Sequence, residues 1–387
     1  MPITVRRLLL LASAVVFVDT MFTAAITPLL PYFQDHIGLS KADAGLLVAA
    51  YPAGTLAGAI PGGWMASRLG VKPVVLIGLA LMAVSTFVFG FAHSELVLDL
   101  SRFVQGVGGA FSWVGMMSWL VTEAPRDRRG EMIGTALGAA IVGALFGPVV
   151  GSLAIAIGLE VVFSGVVVLA AGLSVWAVMT PAAPAQDIAI LSGLRAASRS
   201  LRVRGSLWLV LLPSLIAGVY EVLMPLRLDQ LGAAELLIGG VFVVAAGVEA
   251  LASPLIGRLS DRRGRLVPIR FGLMVAPVVI LALAVPRSPW VLAVVIVVAW
   301  VTLGTFWSPA MAALSDAADA AGVGLVIAWA LSTIAWAGGQ VAGSAVGGAV
   351  AATTADIVPY AFLAGLCLLT LAGLGRLAAP HEADALP

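Results

Sequence analysis

Gly257-Arg258-Leu259-Ser260-Asp261-Arg262-Arg263-Gly264-Arg265 is a polar break between apolar runs at about 236–257 and 266–285, each long enough for a helix to cross a bilayer. A second break of the same design, Gly63-Trp64-Met65-Ala66-Ser67-Arg68-Leu69-Gly70-Val71-Lys72, stands 194 positions earlier. The same offset carries Pro31 to Pro225 and Gly45 to Gly239, as well as Gly63 to Gly257 and Gly70 to Gly264. Matches gathered in one register around the second span of each half read as parallel internal repeats. Such repeats are expected of transporters that rock about a central site.

Composition places the rest of the chain in the same solvent. Hydrophobic residues make up 61% and charged residues 11% of the 387 positions, and mean hydropathy is +1.09. Soluble domains run at about 45–50% apolar and about 25% charged, so a water-soluble fold could not hide this much apolar surface. The net charge of +1 supplies no basic field for nucleic acid. Cys367 is the single cysteine, which removes an intrachain disulfide framework and any CxxC metal or redox site. His36, His93 and His381 fall near helix ends or in the tail, without the spacing of a zinc site. No metal and no cofactor is expected, and the chain is not expected to be an enzyme.

Apolar runs predict spans at about 6–30, 43–65, 73–92, 97–121, 132–157, 161–180, 206–226, 236–257, 266–285, 290–312, 322–350 and 358–378. The start, Arg6-Arg7 before an apolar stretch, resembles a signal peptide, but the stretch contains Asp19 and runs to Pro31, so it reads as the first span. The expected fold is an all-α membrane protein of twelve transmembrane helices in two pseudo-symmetric six-helix bundles, 1–180 and 206–380. Residues 181–205, opening Pro181-Ala182-Ala183-Pro184 and ending in arginines, read as a cytoplasmic linker, and 381–387 as a cytoplasmic tail. Of the 21 Lys and Arg, all but Lys41, Arg102, Arg227 and Arg287 lie on the side of the N-terminus. Lys and Arg are retained on the cytoplasmic side, which puts both termini there and the chain in the inner (plasma) membrane.

Three motifs then resemble one family. The breaks at 63–72 and 257–265 resemble the G-x-x-x-D-R-x-G-R loop signature of the major facilitator superfamily, with Ser67 departing from the acid in the first copy. Glycines there permit a tight turn, and Asp261 with Arg262 and Arg265 forms a breakable latch. Arg102-Phe103-Val104-Gln105-Gly106-Val107-Gly108 resembles the R-x-x-Q-G-x-G signature of the same superfamily. An arginine this deep usually faces a polar cavity, while the alternatives are that it snorkels outward or pairs with Asp99. Gly134, Gly143, Gly147-Pro148 and Gly151 are similar to the fifth-span pattern of the antiporter branches, with Ser152 in place of the final glycine. Small residues and a proline suit a helix that seals the interface between halves in one state, or ordinary close packing. The chain looks most like the twelve-span drug:proton antiporters, whose first span carries an acid ahead of a proline-containing end, as Asp19 does before Pro28 and Pro31.

That resemblance gives a role to acids that the spans bury. Asp19 lies about 18 Å along a helix from Arg7, near mid-depth, and Glu249 is comparably deep in the eighth span. Glu221 sits nearer the outer end of the seventh, where interfacial water is an alternative environment. Ionised carboxylates are costly at such depths and serve as proton carriers or as counter-ions for a cation. The expected function is proton-coupled efflux of lipophilic or cationic compounds through Asp19, Glu221, Glu249, Arg102 and Gln105, by a monomer with small molecules, protons and the bilayer as its partners. Proton-linked transport of a sugar, amino acid or other metabolite is the alternative, and a non-transporting receptor or sensor is the alternative of another class. Trp113, Met116, Met117, Trp119, Trp300, Trp307 and Trp336 fit either a pocket lining or a lipid-facing belt.

Overall fold

The computed structural model describes residues 3–123, 125, 129–181, 199–322 and 325–377. Residues 182–198 of the expected linker and the expected tail at 381–387 lie outside them. In chain order the helices are α1 (Ile3–Ala24), α2 (Leu29–Ile37), α3 (Lys41–Leu69), α4 (Val71–Gly90), α5 (Glu95–Glu123), α6 (Arg129–Ile157) and α7 (Leu159–Met179). They continue with α8 (Leu201–Gln230), α9 (Glu235–Arg263), α10 (Leu266–Ala282), α11 (Pro289–Ala320), α12 (Leu325–Val341), a π-turn (Ala342–Val346), α13 (Gly347–Thr353) and α14 (Ile357–Leu377). A backbone inside hydrocarbon must satisfy its own hydrogen bonds, and helices do so without edges.

Among the described residues nine helices are long and apolar enough to cross a membrane, against twelve expected spans. The other three expected spans fall on α5, α10 and α12–α13, for physical reasons that differ. Glycine, serine and tryptophan dilute the hydropathy of α5, α10 has 17 residues, and the π-turn divides the segment from 325 to 353. The first span also departs from its expected extent of 6–30. Its helix stops at Ala24, turns through 25–28 and resumes to Ile37, because Pro28 and Pro31 have no N–H to continue the ladder.

The repeat seen in the sequence recurs in the backbone. Gly70 and Gly264 end α3 and α9 with φ of 88° and 90°, and Gly38 and Gly232 both have φ of 80°. A side chain in that left-handed region would be strained, which explains why the offset preserves glycine at these turns.

Lipid tails supply no hydrophobic drive between helices, so close approach through small residues holds the structure. Gly54 on α3 meets the Phe103 carbonyl of α5, and Gly106 on α5 meets the Tyr51 carbonyl of α3. Gly143 and Gly147 of α6 face Phe17 and Ala24 of α1, and Gly151 faces Ala25 in the turn that follows it. These three glycines therefore pack within the first six spans, and the contacts from α6 across to α9 include Pro148 and Ser152 against Gly239. Gly339 of α12 and Gly343 of the π-turn lie against Leu211 and Leu215 of α8. Outward faces carry apolar side chains such as Leu251, Met179 and Val168, all more than two-thirds exposed, as a lipid-facing surface requires.

Helices α1–α7 pack mainly on one another, as do α8–α14. The two sets meet where α3 crosses α8, α12, the π-turn and α13, where α2 meets α8, and where α6 crosses α9. At the first crossing Gly45 meets Ser344 and Gly348, and Lys41 forms an ion pair with Asp356.

Candidate functional site

Between the two sets of helices lies a cavity of about 940 Å³. It reaches from Val48 and Pro148 to Ser67, Thr122 and Ser253, on the side of the Gly70 and Gly264 turns. At the opposite end the α3 crossing and the Lys41–Asp356 pair lie beyond it. Most of the wall is apolar, with Trp113, Trp119, Trp300, Trp307, Trp336, Met117 and Met311 on it. Of the aromatic and Met residues that left two readings open, Met116 is fully buried and does not line this space.

Arg102, Glu221 and Glu249 bring charge to that wall. Arg102 is 3% exposed and points inward, away from lipid. Its Nη1 donates to Gln105 Oε1 at 2.8 Å and its Nη2 to the Thr23 carbonyl at 3.2 Å, and the guanidinium lies 5.2 Å from the Tyr51 ring centre. The helical spacing of Arg102 and Gln105 puts them on one face of α5, so the glycine-rich motif both fixes the α3 approach and aims the guanidinium. Asp99 is not its partner among the hydrogen bonds of this site. Gln105 is buried behind Arg102 rather than on the wall.

Glu221 accepts a hydrogen bond of 3.1 Å from Gln340 Nε2 on α12. It faces the cavity, not the outer interface that its position near the end of the span had left open. Glu249 stands on α9 with Gly304 of α11 packed against it, where a Cβ would come within 3.3 Å of a carboxylate oxygen. Two carboxylates from the second set of helices thus share one largely apolar space, while the nearby guanidinium donates from Nη1 and Nη2 to neutral acceptors and its Nε has no partner among the described residues.

Asp19 is placed differently. It is 0% exposed and does not line the cavity. Its Oδ2 accepts the Tyr51 hydroxyl and the Trp113 indole N–H, each at 3.0 Å, while Oδ1 has no hydrogen-bond partner among the described residues. Sequence reasoning missed Tyr51, Thr23 and Gln340 altogether and left Trp113 unassigned. A polar residue within an apolar run was the available signal for Tyr51 and Gln340, but nothing in the spacing links either to an acid.

The loop motifs lie at the ends of α3 and α9. In the second copy Arg265 pairs with Asp261 one turn back and with Asp316 of α11 at 3.1 Å. Those carboxylates raise the proton affinity of Arg265 above that of an ordinary arginine. Gly257 and Arg262 stand on the last turns of α9, and Gly264 closes it. In the first copy Ser67 takes the place of the acid and donates to the Trp64 carbonyl at 2.8 Å, while Arg68 lies 5.9 Å from the Trp64 ring centre. Gly63 and Ser67 of this copy line the cavity. Gly134, the first glycine of the fifth-span pattern, has open space where its side chain would be.

Comparison with known proteins agrees with this architecture. The sequence profile of the Major Facilitator Superfamily matches residues 12–340. Quinolone resistance protein NorA of Staphylococcus aureus is 30% identical over 136 residues, 35% of this chain and 35% of that protein. The MFS-type transporter ppzB of Metarhizium rileyi is 32% identical over 141 residues, 35% of this chain and 29% of that protein. The matched stretch therefore spans about a third of the length of these relatives. Among solved structures, a D-xylose-proton symporter superposes with a TM-score of 0.78 at 15% identity, covering 98% of this chain and 99% of that one. The nucleoside transporter NupG superposes with a TM-score of 0.75 at 14% identity, covering 98% and 100%. Identities this low show a shared fold and leave cargo open. With its helices, its central cavity and a profile match over most of its length, this multi-pass membrane chain belongs to the Major Facilitator Superfamily.

Proposed function

We propose that the chain is a proton-coupled antiporter that exports lipophilic, often cationic compounds by alternating access. The observation that carries this reading is the pair Glu221 and Glu249 on the wall of a cavity otherwise rich in tryptophan and methionine. A carboxylate in such a space needs a proton or a cation, and the two are interchangeable occupants. Aromatic faces attract the same cations through their quadrupoles, by about 0.5–2 kcal/mol each. Methionines adapt to ligands of varied shape. The resemblance to NorA over a third of its length points the same way.

In this reading residues 1–180 and 206–380 rock as two six-helix bundles joined by a cytoplasmic linker, giving twelve crossings in a monomer. The excess of arginine on the side of the Gly70 and Gly264 turns supports placing that side in the cytoplasm and the chain in the inner (plasma) membrane. The conformation described is then the one open to the cytoplasm, ready to load. The carboxylates pick up the compound there and give it up outside, where protons replace it.

The test is transport in proteoliposomes under an imposed pH gradient, with a panel of fluorescent lipophilic cations. The expected result is accumulation that needs the gradient and that falls at least roughly ten-fold when both Glu221→Gln and Glu249→Gln are introduced. If no cation moves while a sugar or nucleoside does, the cargo is a metabolite and the export reading is wrong.

A further inference from the structure

Among Asp19, Glu221 and Glu249, Asp19 alone is shut off from the cavity. Its Oδ2 takes both the Tyr51 hydroxyl and the Trp113 N–H, and its Oδ1 lies against Gly109, where a Cβ would be 3.1 Å away. Tyr51 and Trp113, in contrast, line the cavity. They stand between the buried acid and whatever the cavity holds.

The chemistry of the two donors differs. An indole N–H can only donate, whereas a phenol can donate or accept. Ionised Asp19 satisfies both. A proton on Oδ1 would find no acceptor among the described residues, because that oxygen has no partner there. A proton on Oδ2 must instead be donated to the Tyr51 oxygen, which reverses the phenol and leaves Trp113 donating to a neutral group. Hydrogen bonds to an ionised acceptor are about twice as strong as those between neutral groups, so protonation loosens the indole. The charged and titratable groups that face Asp19 are Tyr51 from α3 and Arg102 from α5. The α6 helix meets α1 here with Ala140, Gly143 and Gly147, which carry no charge.

We propose that Tyr51 and Trp113 are positioning residues that couple the Asp19 proton to occupancy of the cavity. Trp113 turns its ring to the ligand and its N–H to the acid, so ligand and proton exclude each other without touching. A ligand that packs on the indole in this rotamer favours ionised Asp19, and by reciprocity a proton on Asp19 weakens that ligand. The phenol is the route of exchange. As Asp19 releases its proton to the Tyr51 oxygen, the Tyr51 hydroxyl proton passes to cavity water, and the reverse sequence reloads the acid. This inference rests on the proton-antiport reading.

The test separates the donor from the ring. Ethidium affinity of purified protein is measured between roughly pH 5.5 and pH 8 for wild type, Asp19→Asn, Trp113→Phe and Tyr51→Phe. Wild type is expected to lose affinity toward acid both through Asp19 and directly through Glu221 and Glu249 on the wall, and Asp19→Asn to remove roughly ten-fold of that loss, leaving the flatter dependence that the two wall carboxylates contribute. Trp113→Phe keeps a ring, loses a few-fold in affinity throughout and follows the flattened profile. If Trp113→Phe retains the wild-type profile while Asp19→Asn loses it, the inference is overturned and the export reading stands. Infrared difference spectra of ligand-free protein supply the second measurement. The protonated-carboxyl band that Asp19→Asn removes is expected to shift in Trp113→Phe, and an unmoved band overturns the inference even if no cation binds and the export reading falls.

Discussion

Asp19 owes its enclosure to the absence of a side chain at Gly109. A Cβ there would stand 2.5 Å from the Tyr51 hydroxyl and 3.1 Å from Asp19 Oδ1, tighter than packed atoms tolerate. Gly109→Ala is therefore expected to push the phenol off the acid and to lower gradient-driven transport at least roughly ten-fold, while the protein still inserts and purifies as a folded species. Transport at the wild-type rate in this variant would mean that the Tyr51–Asp19 hydrogen bond has no part in the cycle. Asp19→Asn is expected to abolish gradient-driven transport outright, measured in the same vesicles. The depth of Asp19 was legible in the sequence, because distance along a helix needs only a count of residues. Its partners were not, since Tyr51 and Trp113 come from α3 and α5, and only the glycine-mediated crossing of those helices brings them to α1. The environment of Glu221 stayed open in the sequence for a related reason: Gln340, its hydrogen-bond partner, is 119 positions away.

At the scale of elements, two ion pairs mark opposite ends of the molecule. Lys41–Asp356 joins the start of α3 to the segment between α13 and α14, beside the close approach of Gly45 to Gly348. Its groups are about one-fifth exposed, so the pair is worth about 1 kcal/mol and no more. Lys41→Ala is expected to open this end roughly five-fold more often. With the native Cys367 replaced by Ala, Ser344→Cys, fully buried in this conformation, gives a single reporter thiol. A roughly five-fold faster reaction with a membrane-impermeant maleimide checks the expectation, and an unchanged rate would show that the Gly45 contact alone holds this end shut. At the other end Arg265 binds Asp261 and Asp316. Because those acids raise its proton affinity, Arg265 keeps its charge below the ordinary arginine range and above it, and any stability it lends is lost only at more alkaline pH. Rates that depend on this clasp should respond to salt, and not to pH between about 6 and 9. A comparison of wild type with Arg265→Gln at low and high ionic strength reads that difference directly. The loop motif was visible as a string of residues, yet Asp316 was not part of it, because the partner comes from α11.

Over the whole molecule, the repeat offset of 194 positions reappears as paired glycine turns at Gly38 and Gly232 and at Gly70 and Gly264. Periodicity of that kind survives in sequence because each turn imposes the same backbone demand in both halves. The interruptions did not show themselves in hydropathy: the turn at 25–28 and the π-turn at Ala342–Val346 sit inside apolar runs. The central claim about the molecule is that cargo and protons move in opposite directions through one cavity. Its most direct test is to load proteoliposomes with a pH-sensitive dye, add ethidium on one side with no imposed gradient, and record both fluorescence signals together. Protons are expected to move opposite to ethidium, and Asp19→Asn to abolish that movement. Protons that travel with the cation, or ethidium that crosses with no proton movement at all, would contradict it.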